Sequence, residues 1–470
     1  MFRKEGKVLD LGDYRRFNLD ECLSEKFSTL VLDEGGLSSP LSISLVIPTR
    51  FESERMSTEI EHNALHRILA QCSKLVDLGY LDEIIVMGAT RTSDGKPDFR
   101  ILEEIVRIAY EELGLFKEQV DLINKYRSQD EKAKRGHTEF FLKTVHQFDE
   151  NIPKLLAQYG LWGAAEYFGM LPGKGAGIWL SIPIAQGNVI CFVDSDIMNF
   201  QKEFVVGLCH PIIYSWQARE AAIKIVKAYY TRATVTKTDS HTAFLGGRLN
   251  RLLAVPLIRA VTETLQLYLG LESVKYPLAG EFAVSRDLIE QCDFPNSYAV
   301  ETSLLLQIYD LVKLSANAQL NLDVFRHIGQ QFENLQTMAY HIVDLIFQAA
   351  VEKMERLLTD TEKQRIIASY QENVNKLMGD YQDIAARLKA AEGNLVYSKE
   401  KDIEEARTFE EIIEEVLTGK FKETTGYFIS PSWKTVAERT GNYFALREML
   451  KRRANQSTWS RLKAADLLNE

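Results

Sequence analysis

The sequence predicts an α/β fold: a doubly wound, mostly parallel central sheet, followed by a helical C-terminal region. Three observations carry this. Apolar-rich runs at 41–48 (LSISLVIP), 83–87 (EIIVM) and 188–193 (NVICFV) read as buried strands, and the last, which lacks alternation, as a central strand covered on both faces. Helical periodicity over 58–78 separates the first two, the strand–helix–strand order that opens a parallel sheet. From about Gln331 the pattern changes to long, charged, amphipathic helices at 331–357, 361–393 and 402–418.

At 470 residues the chain can bury a large core and more than one folding unit. A net charge of −10 argues against a general nucleic-acid binder, while leaving room for a local basic groove. Cys22, Cys72, Cys191, Cys209 and Cys292 are scattered without CxxC spacing, which predicts free thiols in a reducing compartment. No apolar stretch approaches the roughly 20 residues of a membrane span, and the N-terminus lacks a signal-peptide core. The expectation is a cytoplasmic protein with small-molecule partners, no nucleic acid and no membrane span.

Residues 1–40 mix charges with short apolar pieces and read as an N-terminal extension that packs on the domain or on a partner. The domain proper spans 41–330. Its first strand is closed by Pro48 and followed by polar Thr49, Arg50 and Glu52; its second ends in the small-residue loop GATRTSDG. Residues 98–170 read as an inserted helical layer. The segment Leu171-Pro172-Gly173-Lys174-Gly175-Ala176-Gly177 opens a helix running to about Ala185. Its spacing fails as a P-loop; either its free N–H groups and Lys174 receive an anion or its glycines make a tight turn. The third strand stops at Asp194-Ser195-Asp196. Two carboxylates at i, i+2 beyond a strand's carboxyl end can address one Mg²⁺ or Mn²⁺, and the alternative is a solvated turn.

A loop and short helix at 200–216 lead to a strand over 223–230, with Arg232 just past its end and a mobile loop over 231–242. Gly246-Gly247-Arg248 opens a helix from Leu249 to about Leu269; it is either an anion cradle or a capped helix with a solvated arginine. A loop-to-strand passage, YPLAGEFAVS (276–285), carries Glu281. The helix YAVETSLLLQIYD (298–310) places Glu301 near its start, and a strand over 318–325 ends in Arg326-His327. A lone histidine is more often structural than a ligand. Residues 331–470 read as a bundle that caps the domain or joins subunits, with Lys451-Arg452-Arg453 as a solvated face.

Taken in order, VIPT, PGKG, DSD, KAYYTR, GGRLNRLLAVPL, YPLAGEFAVSRDLI, YAVETSLLLQIYD and Arg326-His327 resemble the glucosyl-3-phosphoglycerate synthases over about residues 41–330. These retaining enzymes have the Rossmann-like, nucleotide-sugar-binding GT-A fold and move glucose from UDP-glucose to 3-phosphoglycerate. The resemblance implies that Pro48, Thr49, Arg50 and Glu52 contact the nucleoside, with Lys174 near the nucleotide. It implies that Asp194, Ser195 and Asp196 hold ribose and metal, Asp196 being the direct ligand and His327 completing the metal site. Gly247, Arg248 and Asn250 would cradle the acceptor phosphate with Arg232, and Leu278, Gly280, Glu281, Tyr298 and Glu301 would line the sugar and acceptor pocket. Catalytic roles fall to Glu301, Arg248 and Asp196. Mg²⁺ or Mn²⁺, a UDP-glucose donor (GDP-mannose as the other possibility) and a homodimer are the implied cofactors and assembly. The chain departs from the pattern at Gly88-Ala89, where an acidic or serine residue is expected, at Asn250 in place of threonine, and at Gly329 in place of asparagine.

Two other readings compete. One is another enzyme on the same fold, a GDP-mannose-dependent mannosyltransferase or a nucleotidyltransferase. The other is a non-catalytic scaffold whose helical C-terminal third is the working part. Within the glycosyltransferase reading, retention could proceed by double displacement on Glu301 or Glu281, or by front-face attack, which the resemblance favours.

Overall fold

A computed structural model describes residues 7–32, 38–50, 59–115, 117–125, 139–159, 173–218, 223–236, 241–329, 332–420 and 429–468. The three apolar runs form the strands Ile43–Thr49, Glu83–Gly88 and Val189–Phe192. Side-chain alternation splits each run between two cores. Ile43, Leu45, Ile47 and Cys191 enter one, while Val46, Ile85, Met87, Ile190 and Phe192 enter the other. Both faces are covered, which is why these strands are rich in apolar residues.

Across the sheet the strands run Leu9–Asp13, Asn317–Ile328, Ile225–Val235, Phe282–Ser285, Val189–Phe192, Ile43–Thr49, Glu83–Gly88 and Leu142–His146. Phe282–Ser285 is antiparallel to both neighbours, and the remaining pairings along this path are parallel. The α/β class with a mostly parallel sheet is therefore as expected.

Four elements differ from expectation. Residues 98–170 are not wholly helical, because Leu142–His146 is an edge strand beside Glu83–Gly88. Leu142 and Val145 share a helix-like spacing, and Lys143 interrupts the apolar run; yet Lys143 is fully buried, its charge matched by Glu83 at 2.5 Å. The N-terminal stretch contributes Leu9–Asp13 to the sheet itself. The strand expected to end at Tyr230 continues to Val235, so Arg232 lies within it and the expected mobile loop is partly strand. The short helix after Phe200 is 17 residues long, Lys202–Ala218.

The C-terminal helices form as read: Phe332–Met354, Asp360–Glu392 and Lys399–Leu417. A capping box, Thr359 with Glu362, starts the second. They pack with Leu252, Leu253, Leu257 and Val261 into a core of their own. The last helix, Tyr443–Ala464, returns to the far edge of the sheet. There Asn455 Oδ1 accepts from Phe140 N at 3.0 Å, and Thr458 Oγ1 accepts from Thr144 N at 2.8 Å. Trp433 stacks on Trp179 at 4.2 Å, and each indole N–H donates to a backbone carbonyl of the facing segment. The basic triplet is not a free face: Arg453 pairs with Asp149 and Lys451 with Glu448. All five cysteines are free and buried. No helix among the described residues is long and apolar enough to cross a membrane.

Candidate functional site

The candidate site lies at the carboxyl end of Val189–Phe192, where ligands collect in open α/β sheets. Asp194 lies two residues past that strand. Its Oδ1 is 2.6 Å from Lys174 Nζ, and the same ammonium is 2.8 Å from Glu301 Oε1. Lys174 therefore bridges two carboxylates from separate elements. Burial opposes its charge, but Asp194 and Glu301 outweigh that and raise its pKa. Gly280 leaves room for this bridge: a Cβ would lie 2.7 Å from both Asp194 Oδ2 and Lys174 Nζ, and those side chains would have to shift.

The other glycines around Lys174 have a packing role. A Cβ on Gly173, which has φ +126°, would lie 1.6 Å from Asn296 O, and one on Gly175 would lie 1.8 Å from Pro295 O. These glycines let two backbones meet, and that contact aims Lys174 at the site.

Asp196 faces His327, Oδ2 to Nδ1, at 3.5 Å. Backbone pairing between the Ile197 segment and His327 sets this distance. Thr234, directly opposite His327 in the neighbouring strand, holds the other ring nitrogen, Oγ1 to Nε2, at 3.0 Å. Burial raises the Asp196 carboxyl pKa, but His327, Arg232 and Lys174 outweigh it and keep it below the usual range. Burial, then Arg232, pushes the imidazole down, so the ring is neutral and able to ligate. Nδ1 of His327 is buried and has no hydrogen-bond partner among the described residues. A carboxylate and an orphaned imidazole nitrogen face to face suit Mn²⁺ or Mg²⁺ with substrate oxygens completing the shell. The described residues contain no cluster of three or more His, Cys, Asp or Glu that could hold a metal alone.

Behind this pair, Glu281 accepts from Tyr230 Oη at 2.7 Å and is 1% exposed. Burial, then Asp194, pushes its carboxyl up to about 7. Tyr230 stacks on Phe325 and meets the ring of Tyr276 at a tilt. Arg232 follows two residues later on the same strand face; burial opposes its charge, but Tyr276, Tyr230, Asp196 and Glu281 hold it cationic.

Gly246 and Gly247 press against this face. A Cβ on Gly246 would lie 2.0 Å from Thr234 Oγ1, and one on Gly247, with φ +68°, 2.6 Å from Tyr276 Oη. Arg248 begins the helical turn at Leu249–Ala254. Asn250 is buried, accepting from Leu278 N at 3.3 Å, so it ties down the 275–278 loop.

Of the expected nucleoside contacts, Pro48 and Thr49 end a central strand, Thr49 turning its hydroxyl back to Met87 O. Exposed Arg50 lies 3.5 Å from the hydroxyl of Tyr298, which is 39% exposed. Ser195 and Leu278 are half-buried at the rim, and Glu52 lies outside the described residues. Two departures from the family pattern are filled from within: a Cβ on Gly88 would touch Leu102, and one on Gly329 would lie 2.3 Å from Thr234 Cγ2.

Sequence reading missed Tyr230, Thr234 and Lys227. Tyr230, Arg232 and Thr234 alternate along one strand face, a signal hidden once the strand is ended at Tyr230. Lys227 is buried, donates to Ala279 O at 2.6 Å, and is pushed down by burial to about 8. It braces the loop that carries Gly280.

No family model matches the chain. The glucosyl-3-phosphoglycerate synthase of Mycobacterium tuberculosis is 33% identical over 174 residues, 37% of this chain and 50% of that protein. That of Petrotoga mobilis is 31% identical over 195 residues, 42% and 56% respectively. That of Persephonella marina is 26% identical over 262 residues, 53% and 61%. The chain spans about half the length of the curated relatives it matches. Among solved structures, the M. tuberculosis enzyme with Mn²⁺, UDP-glucose and phosphoglyceric acid is similar at a TM-score of 0.48 and 25% identity, over 73% of this chain and 88% of that one. The family these relatives name is the one the motifs resemble.

Proposed function

We propose that this chain is a metal-dependent, retaining glycosyltransferase. It would move a hexose, glucose favoured, from a nucleoside-diphosphate sugar, UDP-glucose first, to 3-phosphoglycerate or a similar small anionic acceptor. The observation that supports this best is the meeting of two pairs at the carboxyl end of the central strand: Asp196 with His327, and Lys174 with Asp194 and Glu301. The named relatives support the same reading.

Asp196 and His327 would hold Mg²⁺ or Mn²⁺, which when bound supplies charge neutralisation for a departing diphosphate. Lys174 adds a fixed cation beside it and orients Asp194 and Glu301. Arg232 and Arg248 supply positive charge for an anionic acceptor, aligning its hydroxyl with the sugar, a contribution of orientation. Neither carboxylate available for double displacement is free. Glu301 is pinned by Lys174, and Glu281, bonded by Tyr230, is half-protonated near pH 7. That favours front-face attack, with the leaving phosphate receiving the acceptor proton. A homodimer belongs to the same proposal and is checked by light scattering.

The test is thermal stabilisation by UDP and by GDP, each with and without Mn²⁺, followed by an assay of hexose transfer to 3-phosphoglycerate. A ligand at 100 times its dissociation constant adds about 2.7 kcal/mol to the folded state. The expected result is a Mn²⁺-dependent shift with UDP that Asp196→Ala abolishes. A shift with GDP alone moves the reading to mannosyl transfer. No shift with either nucleotide refutes the donor site and leaves the scaffold.

A further inference from the structure

The acceptor side of the site already contains a negative charge. Arg248 Nη1 lies 2.6 Å from Glu405 Oε1, on the helix Lys399–Leu417. Three residues along each element, Arg251 pairs with Asp402 through both guanidinium Nη nitrogens, and its Nε donates to Gly246 O at 3.0 Å. The two pairs run antiparallel, 248 with 405 and 251 with 402. Arg251–Asp402 is therefore a fixed clamp that sets the register and delivers Glu405 to Arg248. Phe332 lies 5.6 Å from the Arg248 guanidinium on another side and touches Phe409 of the same helix. Glu405 is 4% exposed, and its second oxygen, Oε2, is buried with no hydrogen-bond partner among the described residues.

We infer that Glu405 is a specificity-determining residue that competes with the acceptor's anionic group for Arg248. This rests on the proposed acceptor site and deepens it. A phosphate arriving at Arg248 meets a guanidinium whose charge is already matched, beside a buried carboxylate that repels it. Seating the acceptor's phosphate on Arg248 therefore requires Glu405 to withdraw, and the free energy of breaking that contact is subtracted from acceptor affinity. An acceptor without the phosphate pays no such penalty and can donate a hydroxyl to Oε2. Glu405 thus narrows the site's preference for phosphorylated over unphosphorylated acceptors.

Calorimetric titration of the full chain with 3-phosphoglycerate, and separately with glycerate, tests this without the donor. Glu405→Gln keeps a hydrogen-bond acceptor for Arg248 and removes the charge. It is expected to bind 3-phosphoglycerate about tenfold more tightly, equivalent to about 1.4 kcal/mol, with glycerate affinity changed much less. Glu405→Asp, which retains the charge, is expected to show no such gain. In Arg248→Gln/Glu405→Gln the gain should vanish. Unchanged or weaker 3-phosphoglycerate binding in Glu405→Gln, or an equal gain for glycerate, overturns the inference. A parallel titration with UDP and Mn²⁺ separates the two claims: if UDP binds and Glu405→Gln gives no gain, the competition fails alone; if UDP does not bind, the donor reading fails by itself.

Discussion

Replacing Glu281 by Gln should change how stability depends on pH. The carboxyl sits 1% exposed beneath Tyr230, and burial followed by Asp194 moves it from its ordinary 4.5 to about 7. Between those values the unfolded chain has released this proton while the folded protein retains it. The folded state then binds more protons, so stability falls as pH rises through the window. At about 1.4 kcal/mol per pH unit, the accumulated loss above pH 7 is about 3 kcal/mol. Gln keeps an oxygen for the Tyr230 hydroxyl and cannot ionise, so the variant escapes the loss. The unfolding entropy of a chain this size is about 1 kcal/mol/K, so the gap in Tm between variant and parent should widen by about 3 °C from pH 4.5 to pH 8. Scanning calorimetry in chelator, across that range, measures it. Parallel Tm curves, or a gap that narrows as pH rises, would refute the reasoning.

Three further predictions concern stability. Gly175→Ala forces a Cβ to 1.8 Å from Pro295 O and should cost about 3 kcal/mol, lowering the urea midpoint and loosening Lys174; Gly379→Ala, in a helix with nothing within 4 Å, should gain about 1 kcal/mol in the same assay. Trp433→Ala removes a fully buried ring, its stacking on Trp179 and the hydrogen bond its indole N–H donates to Trp179 O, so it should destabilise by about 4 kcal/mol, seen as an earlier urea transition.

The parts of the fold that were legible in the sequence are those where one physical demand dominates. Strands covered on both faces are rich in apolar residues, and Ile43–Thr49 and Val189–Phe192 announce themselves. The Asp-Ser-Asp turn was legible for the complementary reason, a polar break at a strand's end. Where two demands overlap, the pattern fails. Leu142–His146 must pack in a sheet edge and also carry Lys143 to Glu83, so its charge disguises it. Residues 231–235 must extend a strand and also line the site, so their polarity reads as loop. Arg248 is conspicuous in the sequence, but Glu405 lies 157 positions away, in a helix whose sequence reads only as part of a bundle that caps the domain or joins subunits. Local pattern carries no information about such a pair.

The helix that covers the last strand of the sheet has a consequence for how the protein is made. Thr144 and its cover, Thr458, are separated by 314 positions. At roughly 5–20 residues per second, a ribosome takes about 15–60 s to travel that distance. Throughout that interval the Leu142–His146 strand has emerged while the residues destined to shield it do not yet exist. An unpaired edge is a template for another chain's strand. Newly made chains therefore pass through a window in which neighbours on the same message can pair through this edge. Chaperone demand during synthesis should fall there, and slowing translation should aggravate aggregation more than it does for a protein whose edges are covered by neighbouring sequence.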